Sequence, residues 1–141
     1  MTAARATAAH RALPPAERVR LVAEILRIYV RARRLLRTTS LPAVLEDLRG
    51  DPVSAHERPV SAAEGRRLGR AVVRTLSLLP TDSRCLTRSL VLIALLTRRG
   101  TPSRLVLGVT GAEGFAAHAW VELDGRPLLE PGTDFERLTE L

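Results

Sequence analysis

Residues 81–90 read TDSRCLTRSL, and this stretch decides the fold because it sets the chain's one cysteine, Cys85, at the predicted start of its most apolar helix. Residues 81–83 carry side-chain oxygens that accept hydrogen bonds from the open N–H groups of a first helical turn. The apolar run then continues to a basic turn and to Gly100, which are helix-stop signals. The sequence therefore predicts a helix over about 84–99.

The predicted position of Cys85 favours a reactive thiol. A thiol in the first turn lies near the positive end of the helix dipole, and Arg88, three residues further on, lies beside it. Both effects stabilise a thiolate. A lone cysteine is by itself more often a small buried apolar residue, so the interpretation depends on partners elsewhere in the chain.

Composition limits the functional classes. The chain has 141 residues, enough for one domain with a real core, and all 22 basic residues are arginine, which against 15 acidic residues gives a formal charge of +7. Such a surplus favours an anionic partner: nucleic acid, an acidic lipid surface or an acidic peptide. Nucleic-acid binding is disfavoured because there is no recognised motif and there are few aromatic residues for base stacking.

Cysteine usage and hydropathy indicate the redox compartment, the metal content and the membrane association to expect. One cysteine excludes an internal disulfide and fits the reducing cytoplasm, and no paired Cys or His spacing suggests a zinc site. We therefore expect no cofactor and no metal. No stretch approaches the ~20 apolar residues of a membrane span without an arginine, so we expect no integral membrane segment.

The pattern along the chain predicts an N-terminal tail and one domain. We expect a flexible tail over 1–14 and a single domain over 15–141, with a helical part over 15–80 and the cysteine helix and a β-meander over 81–141.

Three helices are predicted in the helical part. The first opens at Pro14-Pro15, the second ends near Arg49, and the third runs from a capping box at Ser61 and Glu64 to Leu79. The first helix has an apolar stripe at three- and four-residue spacing, formed by Val19, Val22, Ile25, Leu26, Tyr29, Ala32 and Leu36. With arginines around it, this stripe could lie on anionic lipid, but such stripes more often pack on a core.

After the cysteine helix the period of the apolar residues changes to two. Strands are predicted over 104–109, 115–123 and 126–130, and Asp124-Gly125 is the strongest short hairpin signal in the chain. Helices followed by a meander of antiparallel strands predict an α+β domain.

The second predicted strand sets His118, Trp120 and Glu122 on one face. A histidine beside a tryptophan on a strand is most often a packed residue. Here a cysteine at a helix start is followed by a histidine on a strand and then by an acid on the next strand. That is the order of a papain-like or transglutaminase-like site, in which the histidine takes the thiol proton and the acid orients the imidazole.

The register of the hairpin decides which acid can orient His118. A two-residue loop would place Ala119 opposite Glu130, whereas a three-residue bulged loop would place His118 opposite Glu130. The longer loop also sets Glu122 against Arg126 as a cross-strand ion pair, so we expect that register and predict Glu130 as the orienting acid. With the shorter loop, the remaining candidates are Asp124, Asp134 or no acid.

These residues resemble the transglutaminase-like leader peptidases of lasso-peptide biosynthesis, in their split form. The resemblance covers about residues 84–130 and is carried by CLTRSL at 85–90, RRG at 98–100, LGV at 107–109 and FAAHAWVE at 115–122 before Asp124-Gly125. It implies a cysteine-bearing helix packed on an antiparallel sheet. It also implies cleavage of a precursor peptide between leader and core by Cys85 and His118, aided by an acid that is usually aspartate and is Glu130 here.

The resemblance further implies partners. Fused members carry a leader-recognition domain N-terminally and this chain offers no space for one, so we expect a separate leader-recognition protein, with the macrocyclising synthetase as a further partner.

The backbone N–H of Cys85 is the one oxyanion donor that the sequence indicates. The alternative function is a non-catalytic subunit that keeps the fold and uses its arginine surface to hold an acidic leader or the partner enzymes.

Overall fold

The computed structural model describes residues 12–52, 58–80, 85–110, 116–129 and 136–141. These ranges form four helices and one four-stranded antiparallel sheet in the order β3-β2-β1-β4, which confirms the predicted α+β class. The elements are α1 (Pro15–Thr38), α2 (Leu41–Arg49), α3 (Ala62–Ser77), α4 (Cys85–Arg98), β1 (Arg104–Thr110), β2 (Ala116–Leu123), β3 (Arg126–Pro127) and β4 (Glu136–Glu140). No helix in these ranges has the length and apolar character needed to span a bilayer.

Helix α4 is the centre of the core. Every residue from Ser89 to Leu96 is buried, and the helix contacts the other three helices of the described ranges as well as β1 and β2. Its C-terminus closes as predicted: Gly100 has φ of 69°, the N–H of Thr101 donates to the carbonyl of Leu96 at 2.9 Å, and the N–H of Gly100 donates to the carbonyl of Thr97 at 2.9 Å. This pair of bonds satisfies the last carbonyls of the helix.

Helix α1 divides its predicted apolar stripe between two environments. Ile25, Tyr29 and Ala32 are buried in the core, but Val19 and Val22 are 69% and 41% exposed, so the prediction of one core-facing stripe is wrong for the N-terminal part. Residues 15–20 of α1 are exposed on all sides, and Val22 is exposed between the half-buried Leu21 and Ala23, so the helix is buried only after its first turns.

Helix α3 begins at the predicted capping box. The Ser61 side chain accepts a hydrogen bond from the N–H of Glu64 at 3.2 Å, and the helix ends at Ser77, two residues before the predicted end. Two glycines, Gly65 and Gly69, lie one turn apart on its buried side.

The sheet contains one strand that the sequence pattern did not predict. Strands β1, β2 and β3 are neighbours in chain order, as expected for a meander, while β4 adds to the other side of β1 with an irregularity between Leu107 and Gly108. All five residues of β4 are exposed, so the strand has no buried face and no apolar alternation to reveal it.

The predicted three-residue hairpin loop is wrong. Leu123 pairs with Arg126 and Glu122 with Pro127, which leaves the two-residue loop Asp124-Gly125. Both loop residues have positive φ, 51° and 75°, and this mirror-image turn matches the right-handed twist of the strands that it joins. The expected Glu122–Arg126 pair therefore does not form.

Candidate active site

Cys85 is the first residue of α4, as predicted, and its side chain is half-buried. Arg88 and Ser89 follow on the same side of the helix at spacings of three and four residues. Residues 81–83, which were expected to cap the helix, lie outside the described residues.

His118 lies on β2 opposite Gly108 of β1. Its ring stacks on the indole of Trp120, with the centroids 6.1 Å apart and the planes inclined by 24°. The imidazole is half-buried, and burial lowers its pKa below the ordinary value of 6.5 because the charged form loses hydration. At neutral pH the ring is therefore a neutral base.

A buried carboxylate holds Trp120 in place. Glu122 is 5% exposed, and its Oε1 accepts hydrogen bonds from Trp120 Nε1 at 3.0 Å and from Arg137 Nη2 at 2.6 Å. Arg137 also pairs with Glu140, and the hydrogen bonds to Glu140 and then Glu122 raise the pKa of its guanidinium. A buried charge is tolerated when it is paired in this way, so these bonds fix the indole beneath His118.

Gly108 makes room for the same indole. A Cβ at this position would lie 2.7 Å from two ring atoms of Trp120 and 2.9 Å from the carbonyl oxygen of Glu136. No side chain fits there without a shift of the ring or of β4, so glycine is what allows Trp120 to lie across β1.

Cys85 and His118 border one cavity of about 290 Å³. Its other lining residues come from α3, α4, β2 and the segment after β3: Gly69, Val72, Val73, Arg88, Ser89, Leu92, Ala119, Trp120, Val121 and Leu129. Because four consecutive residues of β2, 118–121, line it, the cavity reaches both faces of the strand and so lies at its edge. The structure thus brings the predicted nucleophile and base to one place.

A larger groove of about 440 Å³ lies between α2 and Leu141, but no cysteine or histidine lines it. In the ranges that the structure describes, no group of three or more His, Cys, Asp or Glu side chains could hold a metal ion.

The predicted acid, Glu130, lies outside the described residues, as does Asp134. The register that favoured Glu130 is not the one observed. Strand β3 ends at Pro127, and the next two side chains, Leu128 and Leu129, both lie against α3, at Gly65 and Gly69. Side chains of a regular strand would alternate between the two faces of the sheet, so the strand register cannot be extended from Pro127 to position 130.

Asp124, the other candidate acid, is exposed in the hairpin turn. It lies six residues from His118 along β2, a separation of ~20 Å at the rise of a strand. It therefore cannot orient the imidazole.

The sequence interpretation missed Arg137, Gly108 and the wall formed by Gly69 and Leu129. The spacing of Gly65 and Gly69 by four residues was a usable signal, because two small residues on one side of a helix permit close approach: a Cβ at these positions would lie 3.0 Å and 3.1 Å from Leu128 and Leu129. No comparable pattern in the sequence indicated a role for Arg137.

Comparison with known protein families identifies the superfamily of this chain. The family described as the transglutaminase-like superfamily matches residues 26–141, a segment that contains most of α1, all of the other described elements, and both Cys85 and His118. The chain belongs to the transglutaminase-like superfamily, which includes cysteine proteases. No curated protein and no solved structure gives a significant match.

Proposed function

We propose that this protein is a cysteine endopeptidase that removes the leader from a lasso-peptide precursor. The observation that carries the proposal is that Cys85, at the start of α4, and His118, on β2, border a single cavity. Membership of a superfamily that includes cysteine proteases supports the reaction class. The resemblance over about residues 84–130 supports the substrate class.

In the proposed reaction His118 takes the proton of the Cys85 thiol, and the sulfur attacks the scissile carbonyl carbon. The backbone N–H of Cys85 stabilises the oxyanion. His118 then gives its proton to the leaving amine as the C–N bond breaks, and water hydrolyses the thioester to release the leader and regenerate the thiol. The family resemblance supports Glu130 as the acid that orients the imidazole, while the observed two-residue loop removes the pairing argument for it and keeps Asp134, or no acid, as the alternatives.

The environment of His118 supports its role as a base. Burial lowers its pKa, so the neutral ring that accepts a proton predominates at neutral pH, and the imidazolium that forms is a better acid for the leaving amine. The stack on Trp120 restricts the orientation of the ring.

We propose that the peptidase acts in the cytoplasm with a separate leader-binding protein and alongside the macrocyclising synthetase. The exposed side of α1 is the proposed contact surface, because Val19, Val22 and Val30 are exposed there and arginines flank them. The flanking exposed arginines are Arg18, Arg20, Arg27, Arg34 and Arg37. Apolar area bordered by one sign of charge suits an acidic protein partner. The same surface favours the alternative function, a non-catalytic subunit that holds an acidic leader.

Mass spectrometry of a candidate precursor incubated with this protein and the leader-binding protein tests the proposal. We expect cleavage between leader and core by the wild-type protein and none by Cys85→Ala, which should stay folded because alanine is tolerated at a helix start. Cleavage by Cys85→Ala at the wild-type rate would refute the peptidase assignment. Binding of the leader without cleavage by the wild type would favour the non-catalytic alternative.

A salt series tests the partner. The leader-binding protein should raise the cleavage rate by supplying substrate at high effective concentration, and the gain should shrink as ionic strength increases because exposed ion pairs are screened. Replacing Arg20 and Arg27 by glutamine should reduce the gain, whereas Arg126→Gln, on the exposed hairpin, should not. Equal rates with and without the partner at every salt concentration would contradict the proposal.

A further inference from the structure

The cavity at Cys85 has an apolar floor and a rim of mixed polar and apolar side chains. Val72, Leu92 and Val121 are each at most 2% exposed and form its deep part. Cys85, Arg88, Val73, His118 and Leu129 are half-buried and surround its opening. A group that enters past the thiol therefore meets aliphatic side chains.

The buried polar side chains that line the cavity, Ser89 and Trp120, are already hydrogen-bonded. Ser89 Oγ donates to the carbonyl oxygen of Ala119 at 3.2 Å, and Trp120 Nε1 donates to Glu122. Among the residues that the structure describes, the buried side-chain polar atom without a partner is Ser103 Oγ, which does not line this cavity. Among the described residues, the lining of this cavity thus offers no buried side-chain polar atom without a partner, and it favours an apolar occupant.

The floor and the nucleophile are close enough to act on one peptide. Leu92 follows Cys85 by seven residues on the same side of α4, which is ~10 Å along the helix axis. Two residues of extended peptide span ~7 Å, and a side chain covers the rest. The volume of about 290 Å³ is at the small end of the range for ligand sites, which fits one side chain with its backbone rather than a whole peptide.

We propose that this cavity is a substrate subsite that selects an aliphatic side chain within two residues of the scissile bond. The inference rests on the proposed peptidase function and adds a specificity to it. Val73 borders the opening, since it lines the cavity while only half-buried, and Leu129, which packs at Gly69 one turn earlier on α3, forms the neighbouring part of the wall.

Alkylation of the thiol tests the subsite without any need for peptide cleavage. Cys85 is the only cysteine, so the rate of modification by iodoacetamide and by N-butyl iodoacetamide, each divided by its rate with glutathione, reports on this site alone. We expect the butyl reagent to react about 10-fold faster after this correction, because an aliphatic group gains about that much or more in an apolar pocket. Val73→Phe should remove the preference by narrowing the opening.

Two further variants control this measurement. Leu138→Phe places the same ring on the exposed strand β4, outside the cavity, and should leave the preference unchanged. Val73→Ala widens the opening and should extend the preference to longer alkyl reagents, so the test does not depend on the folding of Val73→Phe. Equal corrected rates for the two reagents would overturn the subsite.

A peptide panel gives the second readout. Precursor peptides with Gly, Ala, Val, Leu or Asp at each of the two positions on either side of the scissile bond should show, at one position, a fall of about 10-fold or more in kcat/KM from Leu to Gly. Val73→Phe should shift the preference there towards small residues. Cleavage that is indifferent at all four positions overturns the subsite and leaves the peptidase function standing. An alkyl preference without cleavage of any peptide supports the subsite and instead counts against the peptidase function.

Discussion

The two faces of β2 are built on different principles. Ala119, Val121 and Leu123 belong to the aliphatic cluster that surrounds α4, whereas His118, Trp120 and Glu122 alternate with them and carry a ring stack, an indole hydrogen bond and an ion pair. The first face is held by non-directional burial and the second by contacts with fixed geometry. Stability should therefore depend mainly on the aliphatic face, and the orientation of the proposed base should depend on the polar face.

Among changes on β2, replacement of His118 should give the largest effect on activity. His118→Ala removes the proposed base, so we expect kcat/KM for precursor cleavage to fall by roughly 10³-fold or more, with little change in the free energy of unfolding because the side chain is only half-buried. Cleavage assays and urea denaturation measure the two quantities. Substantial residual cleavage would mean that His118 is a packed residue and that both faces of β2 are structural.

A cavity on the aliphatic face should affect stability instead. Leu105→Ala, at a fully buried position of β1 opposite Val121, should lower the free energy of unfolding by about 2–5 kcal/mol while the folded fraction keeps its kcat. Leu138→Ala in β4 is the matched control: its side chain is 66% exposed, and the change should stay within about 0.5 kcal/mol. Urea denaturation of both variants checks this, and equal losses would contradict the comparison.

A methyl group at Gly108 should lower both the stability and the activity. Gly108→Ala places a Cβ against Trp120 and against the backbone of β4, so we expect a loss of about 1–3 kcal/mol in stability. We also expect a several-fold fall in kcat, because the indole that supports His118 must move. Gly50→Ala, where the new methyl would have ordinary contacts at 3.4 Å, is the control and should be as active and as stable as the wild type. A fully active Gly108→Ala protein would show that the stack does not orient the base.

The smallest expected effect is on the pH profile. Burial disfavours the imidazolium of His118 and lowers its pKa, so the acid limb of kcat/KM should have its midpoint below 6.5, with activity lost as the pH falls through that midpoint. Trp120→Ala would expose the imidazole and should move the midpoint up towards 6.5. A wild-type midpoint at or above 6.5 would show that a nearby acid, and not burial, dominates the titration.

Local signals in the sequence account for what could be predicted. The start of α4 at Cys85, the glycine that stops it at position 100 and the hairpin at Asp124-Gly125 each depend on residues next to one another. The hairpin register failed because an ion pair between Glu122 and Arg126 was given more weight than the preference of Asp-Gly for a two-residue turn.

Long-range contacts account for what could not be predicted. Arg137, the ion-pair partner of Glu122, lies 15 residues further along the chain, on a strand without an apolar pattern. The need for glycine at 108 likewise comes from the Trp120 ring, which crosses from the neighbouring strand. Glu130 as the orienting acid stays a prediction.

The burial of residues 89–96 of α4 on all sides predicts how slowly this part of the protein exchanges its amide protons. Amide protons from Leu90 to Leu96 are enclosed by three helices and the sheet, so they should exchange with solvent only when the domain unfolds as a whole. The thiol is attached to the first turn of this slowest-exchanging element. The helix that carries the sulfur is therefore expected to stay in place while less protected parts of the domain open and close.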